Sequence, residues 1–432
     1  MTPLDPTVKS LISDPYGAYA ALRAEAPVHR VTGPDGLPVW LVTRYPDVRR
    51  ALADPRLALD RSHAAPGNYR GLALPPALDA NLLNMDPPDH TRIRRLVGQA
   101  FTPRRIAALH APVERVAEQL LDAVEAAAGP SGRVDLLAAY AAPLPITVIC
   151  DLLGVPEDDR QDFRAWTDTL ITPDPDHPEQ ARAAVKAMLG FFTGLIERKR
   201  TTPADDLLSD LIAVRDEHAQ GGGPGGDAQG TEVQGTEVQG REAQDRLSED
   251  ELTSLAFLIL FAGYENTVHL IANAVLALLT HPEQLAALRA EPELIAGAVE
   301  EFARFDGPAP LAIRRFPRED VTIGGVTVPA GETVLLALAS ANRDPEQFAD
   351  PDRLDLRRRE SGHLALGHGI HYCLGAPLAR LETALAITAL LRRFPDLALD
   401  APAEELRHRP ALRARGLLEL PVRIRPDGRE PA

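Results

Sequence analysis

Fifteen consecutive residues carry the strongest signal in this 432-residue chain: Leu366-Gly367-His368-Gly369-Ile370-His371-Tyr372-Cys373-Leu374-Gly375-Ala376-Pro377-Leu378-Ala379-Arg380. Glycines punctuate a tight turn, one cysteine follows, and a helical pattern begins at once. Pro377 suits a first helical position, where its missing N–H would be unpaired anyway. Leucines at 374, 378, 381 and 385 recur at helical spacing, so we expect them to face a core. The helix is predicted to end at Phe394-Pro395.

Cys373 is therefore predicted to lie at a helix N-terminus, where partial positive charge and free N–H groups stabilise a thiolate. A thiolate held by a glycine-rich turn suits a soft metal centre, and Gly375 would let the backbone come close to the sulfur. The alternative from the spacing alone is a small buried hydrophobic residue, the usual role of a free cysteine.

Composition limits the classes of function. The formal net charge is −16, which argues against a general nucleic-acid or anionic-membrane binder. The 2 cysteines, Cys150 and Cys373, imply no disulfide framework. The N-terminus has no signal-peptide pattern. Glu265 and His269 interrupt the long apolar stretch 252–279, so a buried helix explains it better than a membrane span. We expect a cytoplasmic protein.

The sequence predicts a mainly α protein with small peripheral β-sheets, folded as one unit over residues 1–432. Ser248 with Glu251 forms a capping box before a helix that is predicted to reach Thr280. A second helix is expected over 291–305. Predicted strands cover 39–43, 321–323, 326–328, 334–338, 417–420 and 421–424.

Residues 219–244 differ from the rest. They are rich in glycine and glutamine and contain a direct duplication, Gln-Gly-Thr-Glu-Val at 229–233 and again at 234–238. This segment has too little apolar content to order itself. It is predicted to be a flexible surface insertion rather than a domain linker.

The middle of the long helix contains Ala262-Gly263-Tyr264-Glu265-Asn266-Thr267. Glycine inside a helix costs about 1 kcal/mol against alanine, which suggests close approach of a ligand or a local opening. A carboxylate in an apolar helix also needs a reason. The alternative is a core acid that is satisfied by its neighbours.

Two further patterns place charges on one helix face. Glu301 and Arg304 are three residues apart, and His90 and Arg94 are four apart. Each pattern alone is also typical of a solvated surface.

Together these motifs resemble the cytochrome P-450 monooxygenases. The cysteine stretch is similar to the family pattern Phe-Gly-x-Gly-x-His-x-Cys-x-Gly, except that Leu366 replaces the usual phenylalanine. The long helix resembles the oxygen-binding pattern Ala-Gly-x-Asp/Glu-Thr. There Asn266 occupies the alcohol position and Thr267 comes one residue later, about 100° around the helix, so it cannot simply substitute. Glu301 and Arg304 resemble the Glu-x-x-Arg motif, with Arg353 as the expected downstream arginine.

The resemblance implies the cytochrome P-450 fold as a single heme-binding domain that holds heme b. It makes Cys373 the axial iron ligand and the metal site. It implies catalytic roles for Glu265, Asn266, Thr267 and Cys373. The implied cofactor-binding residues are His90, Arg94, Ala262, Gly263, Arg315, Leu366, Gly367, His371, Cys373 and Gly375. Arg314 is the alternative to Arg315 if the register slips by one.

The implied reaction uses O2 and two electrons from ferredoxin and ferredoxin reductase. It hydroxylates or epoxidises a bulky hydrophobic small molecule, such as a macrolide or another polyketide. Apolar segments at 61–83, 170–171, 311–313 and 417–418 fall where relatives line the substrate pocket. We expect a monomer with no nucleic-acid or membrane partner. Two alternatives stay open: a peroxide-using heme-thiolate peroxygenase, and a non-catalytic relative that serves as a partner protein.

Overall fold

The structure is a computed structural model that describes residues 6–33, 35–70, 75–171, 177–220, 246–360 and 362–425. Helices dominate it. They are α1 Pro6–Ser13, α2 Pro15–Glu25, α3 Tyr45–Ala53, α4 Pro76–Asp79, α5 Asp89–Ala100, α6 Pro103–Ala108, α7 His110–Ala128, α8 Pro143–Leu153, α9 Arg160–Ile171, α10 Pro178–Thr201, α11 Leu207–Gln220, α12 Glu249–Thr280, α13 Pro282–Ala290, α14 Ile295–Asp306, α15 Leu338–Ala341 and α16 Ala376–Arg393.

Ten short strands form four small sheets. They are β1 Val28–Thr32, β2 Pro38–Val42, β3 Leu57–Ala58, β4 Arg133–Asp135, β5 Phe316–Pro317, β6 Val321–Ile323, β7 Val326–Val328, β8 Val334–Leu336, β9 Ala398–Leu399 and β10 Pro421–Arg423. The two three-stranded sheets have the orders β1-β2-β8 and β4-β10-β9. β2 pairs with β8 in parallel and with β1 antiparallel. β6 and β7 form the predicted hairpin.

The chain divides into two compact units. The first comprises Met1–Leu72, Ile106–Val148 and Gly263–Ala432. It contains all four sheets, and its apolar clusters pack α3 against the β1-β2-β8 sheet and α14 against α16. Its cysteine-bearing turn is therefore fixed to a well-packed body.

The second unit comprises Ala73–Arg105 and Ile149–Ala262. An aromatic group joins α9 to α10: the ring of Phe163 lies 5.3 Å from that of Phe191 and 5.7 Å from that of Phe192. Cys150 is fully buried here, and burial raises the pKa of its thiol to about 12, so it is an inert core residue as the sequence indicated.

The predicted capping box is confirmed. The Ser248 N–H donates to Glu251 Oε2 at 2.8 Å, and the Glu251 N–H donates to Ser248 Oγ at 3.1 Å. The helix continues unbroken to Thr280. It is the one helix in the described part of the chain long and apolar enough to cross a membrane, and 67% of its most apolar window is buried inside the protein.

Other boundaries differ from the predictions. The second helix begins at Ile295 rather than at 291, because Pro292–Leu294 form a separate 3-10 turn. Residues 417–420 make only an isolated bridge through Leu417. α11 extends to Gln220, so the first two residues of the predicted insertion are helical. Residues 221–244 lie outside the described residues, as do Leu72 and Leu74 of the predicted pocket lining.

Candidate functional site

The cysteine turn is shaped by two glycines. Gly367 has φ +77° and Gly369 has φ +74°, conformations that L-residues rarely adopt. A Cβ on Gly369 would lie 3.3 Å from the Ala53 backbone, so glycine also allows the turn to pack on α3. The Cys373 N–H donates to the Leu366 carbonyl at 2.9 Å and closes the turn. Cys373 is thus held rigidly while its side chain stays partly accessible.

The helix after the cysteine begins at Ala376, with Pro377 as its second residue rather than its first. A Cβ added at Gly375 would meet nothing within 4 Å among the residues that the structure describes, so the protein's own packing does not require glycine there. The leucine pattern was also misleading. Leu378 is buried, but Leu374, Leu381 and Leu385 are only half-buried.

A charged network braces the turn from α14. Arg380 donates to both Glu300 oxygens, at 2.5 and 2.9 Å, and to the Tyr372 hydroxyl at 3.0 Å. His363 Nε2 lies 2.9 Å from Glu300 Oε2. Burial acts to raise the pKa of Glu300, but the hydrogen bonds from His363 and Arg380 outweigh it and lower that pKa to about 2. His371 ends the 3-10 turn Gly369–His371 and is half-buried.

At the centre of α12 the backbone shows no opening at Gly263, contrary to one expectation. The Gly263 carbonyl instead accepts a hydrogen bond from Thr267 Oγ1 at 2.9 Å. Thr267 is buried, and its hydroxyl is directed back onto its own helix. Asn266 is exposed. Thr267 therefore does not take over the alcohol position at 266.

Glu265 points toward two basic side chains. Its Oε1 lies 3.7 Å from His269 Nε2 and 3.7 Å from Arg409 Nη1. Both distances are too long for a hydrogen bond, but they place an imidazole nitrogen and a guanidinium close to the carboxylate. Sequence reasoning named His269 only as a break in the apolar stretch, although its i,i+4 spacing from Glu265 was visible. It did not identify Arg409, which lies far away in the chain.

Arg315 is buried, with Nη1 donating to the Ile313 carbonyl at 2.8 Å. Its backbone exchanges two 2.9 Å hydrogen bonds with Val334, which fixes its register on the sheet. Arg314 instead places its guanidinium 5.0 Å from the centre of the Tyr69 ring. The two neighbouring arginines therefore have distinct surroundings, and Arg315 is the better candidate for a buried anion site.

His90 and Arg94 lie one turn apart on α5, in the second unit. His90 is fully buried, and burial, followed by repulsion from Arg94, lowers its pKa to about 4. His90 is thus neutral at pH 7 and offers a neutral N–H, while Arg94 supplies the charge. Ala262 also belongs to the second unit, and the candidate residues other than these three belong to the first.

The buried Glu301–Arg304 pair is as predicted, with Arg304 Nε 2.7 Å from Glu301 Oε2. The second arginine is not Arg353, whose side chain is exposed. It is Arg358, whose Nε lies 3.2 Å from both Glu301 oxygens and whose side chain is 6% exposed. Arg353 contributes only its carbonyl, which accepts from Arg304 and Arg358.

The residues present fit an iron porphyrin. Cys373 offers a partly accessible sulfur on a rigid turn, the donor that soft iron prefers. In the first unit Arg315 is a cation suited to a porphyrin carboxylate, and in the second unit Arg94 is another. On α12, residues 267–275 are all buried, whereas Gly263 is half-buried and Asn266 is exposed, so this part of the helix leaves surface for a ligand. The described residues contain no cluster of His, Cys, Asp or Glu suited to another metal ion.

Comparison with known proteins agrees with this donor set. A family model described as "Cytochrome P450" matches residues 36–400. The chain therefore belongs to the cytochrome P450 family, whose members hold a heme-thiolate cofactor, and it has the cytochrome P450 fold. It is similar to the cytochrome P450 monooxygenase PikC of Streptomyces venezuelae, with 48% identity over 418 residues, covering 97% of this chain and 92% of that protein.

Two further relatives support the same class. The 6-deoxyerythronolide B hydroxylase of Saccharopolyspora erythraea is 42% identical over 433 residues, covering 97% of this chain and 99% of that protein. The solved structure of the P450 monooxygenase TamI bound to tirandamycin C has a TM-score of 0.82 and 44% identity, covering 96% of this chain and 99% of that one. The protein is thus an oxidoreductase of the P450 monooxygenase class.

Proposed function

We propose that the chain acts as one heme domain over residues 1–432. It binds heme b through Cys373 and inserts one oxygen atom from O2 into a bulky hydrophobic molecule, as a hydroxyl or an epoxide. The observation that carries the proposal is the Cys373 turn: Gly367 and Gly369 in left-handed conformations, the Cys373 N–H bonded to Leu366, and an accessible sulfur. A cysteine that only filled a core would be enclosed, as Cys150 is.

When bound, heme supplies the binding and activation of dioxygen. The chain's residues have separate tasks. Cys373 ligates iron as a thiolate, and Leu366, Gly367, His371 and Gly375 shape the turn around it. Arg315, Arg94 and neutral His90 bind the porphyrin carboxylates. Ala262 and Gly263 keep the helix surface small where oxygen binds.

Proton delivery depends on Glu265, which holds and moves a proton at Oε1. Asn266 stands at the alcohol position and is exposed, and its amide is the group that would hold a water or a substrate hydroxyl there. Thr267 has its hydroxyl engaged with the Gly263 carbonyl and serves the helix rather than the relay.

The substrate class follows from the relatives. They include a 6-deoxyerythronolide B hydroxylase, a mycinamicin IV hydroxylase/epoxidase and a tirandamycin C-bound monooxygenase. We infer a macrolide or related polyketide. Electrons come from a ferredoxin and its reductase, the protein is a cytoplasmic monomer, and it has no nucleic-acid or membrane partner.

On α5, Arg92 and Arg95 are our candidates for docking an acidic ferredoxin, and Arg92 also has contacts within the protein. Arg92 Nη1 donates to the Arg246 carbonyl at 2.8 Å, and Nη2 contacts Glu251. This arginine ties α5 to the start of α12.

A paired substitution tests the proposal. The reduced protein treated with carbon monoxide is expected to show the red-shifted absorption of a thiolate-ligated heme. Cys373→Ala should abolish that band, while the matched control Cys150→Ala should retain it, because Cys150 is an inert core residue. Retention of the band in Cys373→Ala would overturn the assignment.

Turnover distinguishes the remaining alternatives. With macrolide substrates we expect product from NADPH, ferredoxin reductase and ferredoxin under O2. Turnover with hydrogen peroxide but not with ferredoxin and NADPH would establish a peroxygenase, and purified protein that retains no heme would establish a non-catalytic relative.

A further inference from the structure

A three-residue cluster surrounds Glu265 within the first unit. Glu265 Oε1 lies 3.7 Å from His269 Nε2, on the same helix, and 3.7 Å from Arg409 Nη1. The side chain of His269 is 2% exposed, whereas that of Glu265 is 22% exposed and that of Arg409 is 29% exposed. The carboxylate thus stands between a buried imidazole and a more accessible guanidinium.

His269 is a buried polar group that packing alone does not explain. Neither ring nitrogen has a hydrogen-bond partner among the residues that the structure describes. Leaving such a group unpaired costs about 1–3 kcal/mol, so buried groups of this kind generally have a task. The carboxylate oxygen of Glu265 needs to move only roughly 0.8 Å to reach hydrogen-bond distance from Nε2.

The segment after α16 supplies Arg409 and packs against His269. The Arg409 N–H donates to the Gly416 carbonyl at 2.8 Å, and His408 bridges to Leu417. A Cβ on Gly416 would lie 2.1 Å from His269 Nδ1, so glycine is required for this turn to lie directly on the imidazole. One rigid turn therefore places Arg409 and encloses His269 together.

His408 also faces the imidazole and interacts with it electrostatically, and Glu265 approaches the ring from the same helix. Burial, followed by repulsion from Arg415, lowers the pKa of His408 to about 4, so His408 is neutral at pH 7. Glu265 is thus a charged side chain that the structure places beside Nε2 of His269.

We propose that His269 and Arg409 are positioning residues that hold the Glu265 carboxylate at one place on α12 between proton transfers. The inference rests on the proposed role of Glu265 as proton donor. When Glu265 donates, its Oε1–H bond breaks, and the carboxylate, whose side chain is 22% exposed, takes its next proton from solvent.

An imidazole and a guanidinium thus hold the acid at 265 while asparagine stands at 266. The Arg409 guanidinium attracts the Glu265 carboxylate between turnovers, which keeps Glu265 directed at the cluster.

The test compares Arg409→Gln, Arg409→Lys and His269→Asn with the control Arg407→Gln, an exposed arginine on the same segment. The measurement is product formed per NADPH, as a function of pH, in the heme-loaded enzyme with ferredoxin. His269→Asn is expected to lower this coupling about tenfold, part of the 10²–10⁴-fold contribution of a proton-transfer group. Arg409→Gln should move the midpoint of the pH profile upward, and Arg409→Lys should restore it.

Peroxide-supported turnover is the internal control, because hydrogen peroxide brings its own protons. It should stay near the wild-type rate in all four variants. If His269→Asn fails to bind heme, the two Arg409 variants decide the question alone. A pH profile unchanged in Arg409→Gln relative to Arg407→Gln would overturn the inference.

A fifth variant separates this inference from the proposed function. If Glu265→Gln leaves coupling unchanged, then the proton-donor role of Glu265 is wrong. If Glu265→Gln lowers coupling while the Arg409 and His269 variants match Arg407→Gln, then the donor role stands and the positioning role is wrong.

Discussion

Glu382 lies nine residues after Cys373 on α16 and is 1% exposed. Its Oε1 has no hydrogen-bond partner among the described residues, and burial raises its pKa well above the ordinary value. The folded protein therefore holds this acid in its neutral form. Above the ordinary carboxyl pKa the unfolded chain releases the proton and the folded chain keeps it, so the stability of the wild type falls as pH rises.

Glu382→Gln should remove this pH dependence. Relative to wild type, the free energy of unfolding of the variant should rise with pH by up to about 1.4 kcal/mol for each unit between pH 5 and 8. Chemical denaturation at several pH values measures the difference. Two parallel curves would show that Glu382 ionises in the folded protein as it does in the unfolded chain.

Arg358 ties α14 to the segment after α15, and the spacing of the sequence motif did not identify this arginine. Arg358 donates to Glu301, to the Ala349 carbonyl at 2.6 Å and to the Arg353 carbonyl at 3.1 Å. Arg353 keeps its side chain in solvent. One carboxylate thus holds two arginines, Arg304 and Arg358, in a buried network.

Arg358→Ala should lower the free energy of unfolding by about 2 kcal/mol, because charged hydrogen bonds to buried groups are lost. Arg353→Ala is the matched control and should stay within about 0.5 kcal/mol of wild type, since the carbonyl at 353 remains. Denaturant midpoints report both values. Equal losses in the two variants would contradict the assignment of Arg358.

The sequence patterns predicted correctly those features that depend on residues close together in the chain. The Ser248–Glu251 cap, the β6-β7 hairpin and the Glu301–Arg304 pair all involve residues three to seven positions apart. The irregular segment contains several arginines, and long-range packing decides which of them turns inward. The sequence motif therefore did not identify Arg358. The same holds for Arg409, whose position follows from the bridge between His408 and Leu417. The leucine stripe of α16 failed because Glu382 and Thr383 occupy part of its buried face.

Acidic residues outnumber basic ones across the chain, and two of them, Glu249 and Glu251, form ion pairs at the start of α12. Arg200 and Arg215 each place a guanidinium nitrogen 2.6 Å from Glu249 Oε1, and Arg92 contacts Glu251. Acidic residues in a first helical turn also interact favourably with the helix dipole. The second unit therefore fixes α12 directly where the described chain resumes after residues 221–245.

Removal of one copy of the duplication, residues 234–238, should leave the protein intact. Shortening a connection of this length by five residues changes the closure free energy by only a few tenths of a kcal/mol. The carbon monoxide spectrum and the thermal midpoint should match wild type. Ser248→Ala is the contrasting control, expected to cost about 1 kcal/mol through loss of the helix cap. A deletion that costs more than this control would give the repeat a structural role.

The pairing of distant segments in the β4-β10-β9 sheet affects how the protein folds during its synthesis on the ribosome. The Leu420 N–H donates to Asp135 across 285 residues of sequence, and Ile424 donates to the Gly132 carbonyl. Strand β4 therefore leaves the ribosome long before its partner has been translated. Its open edge is exposed to other nascent chains in the interval, the situation in which chaperones prevent edge-to-edge association.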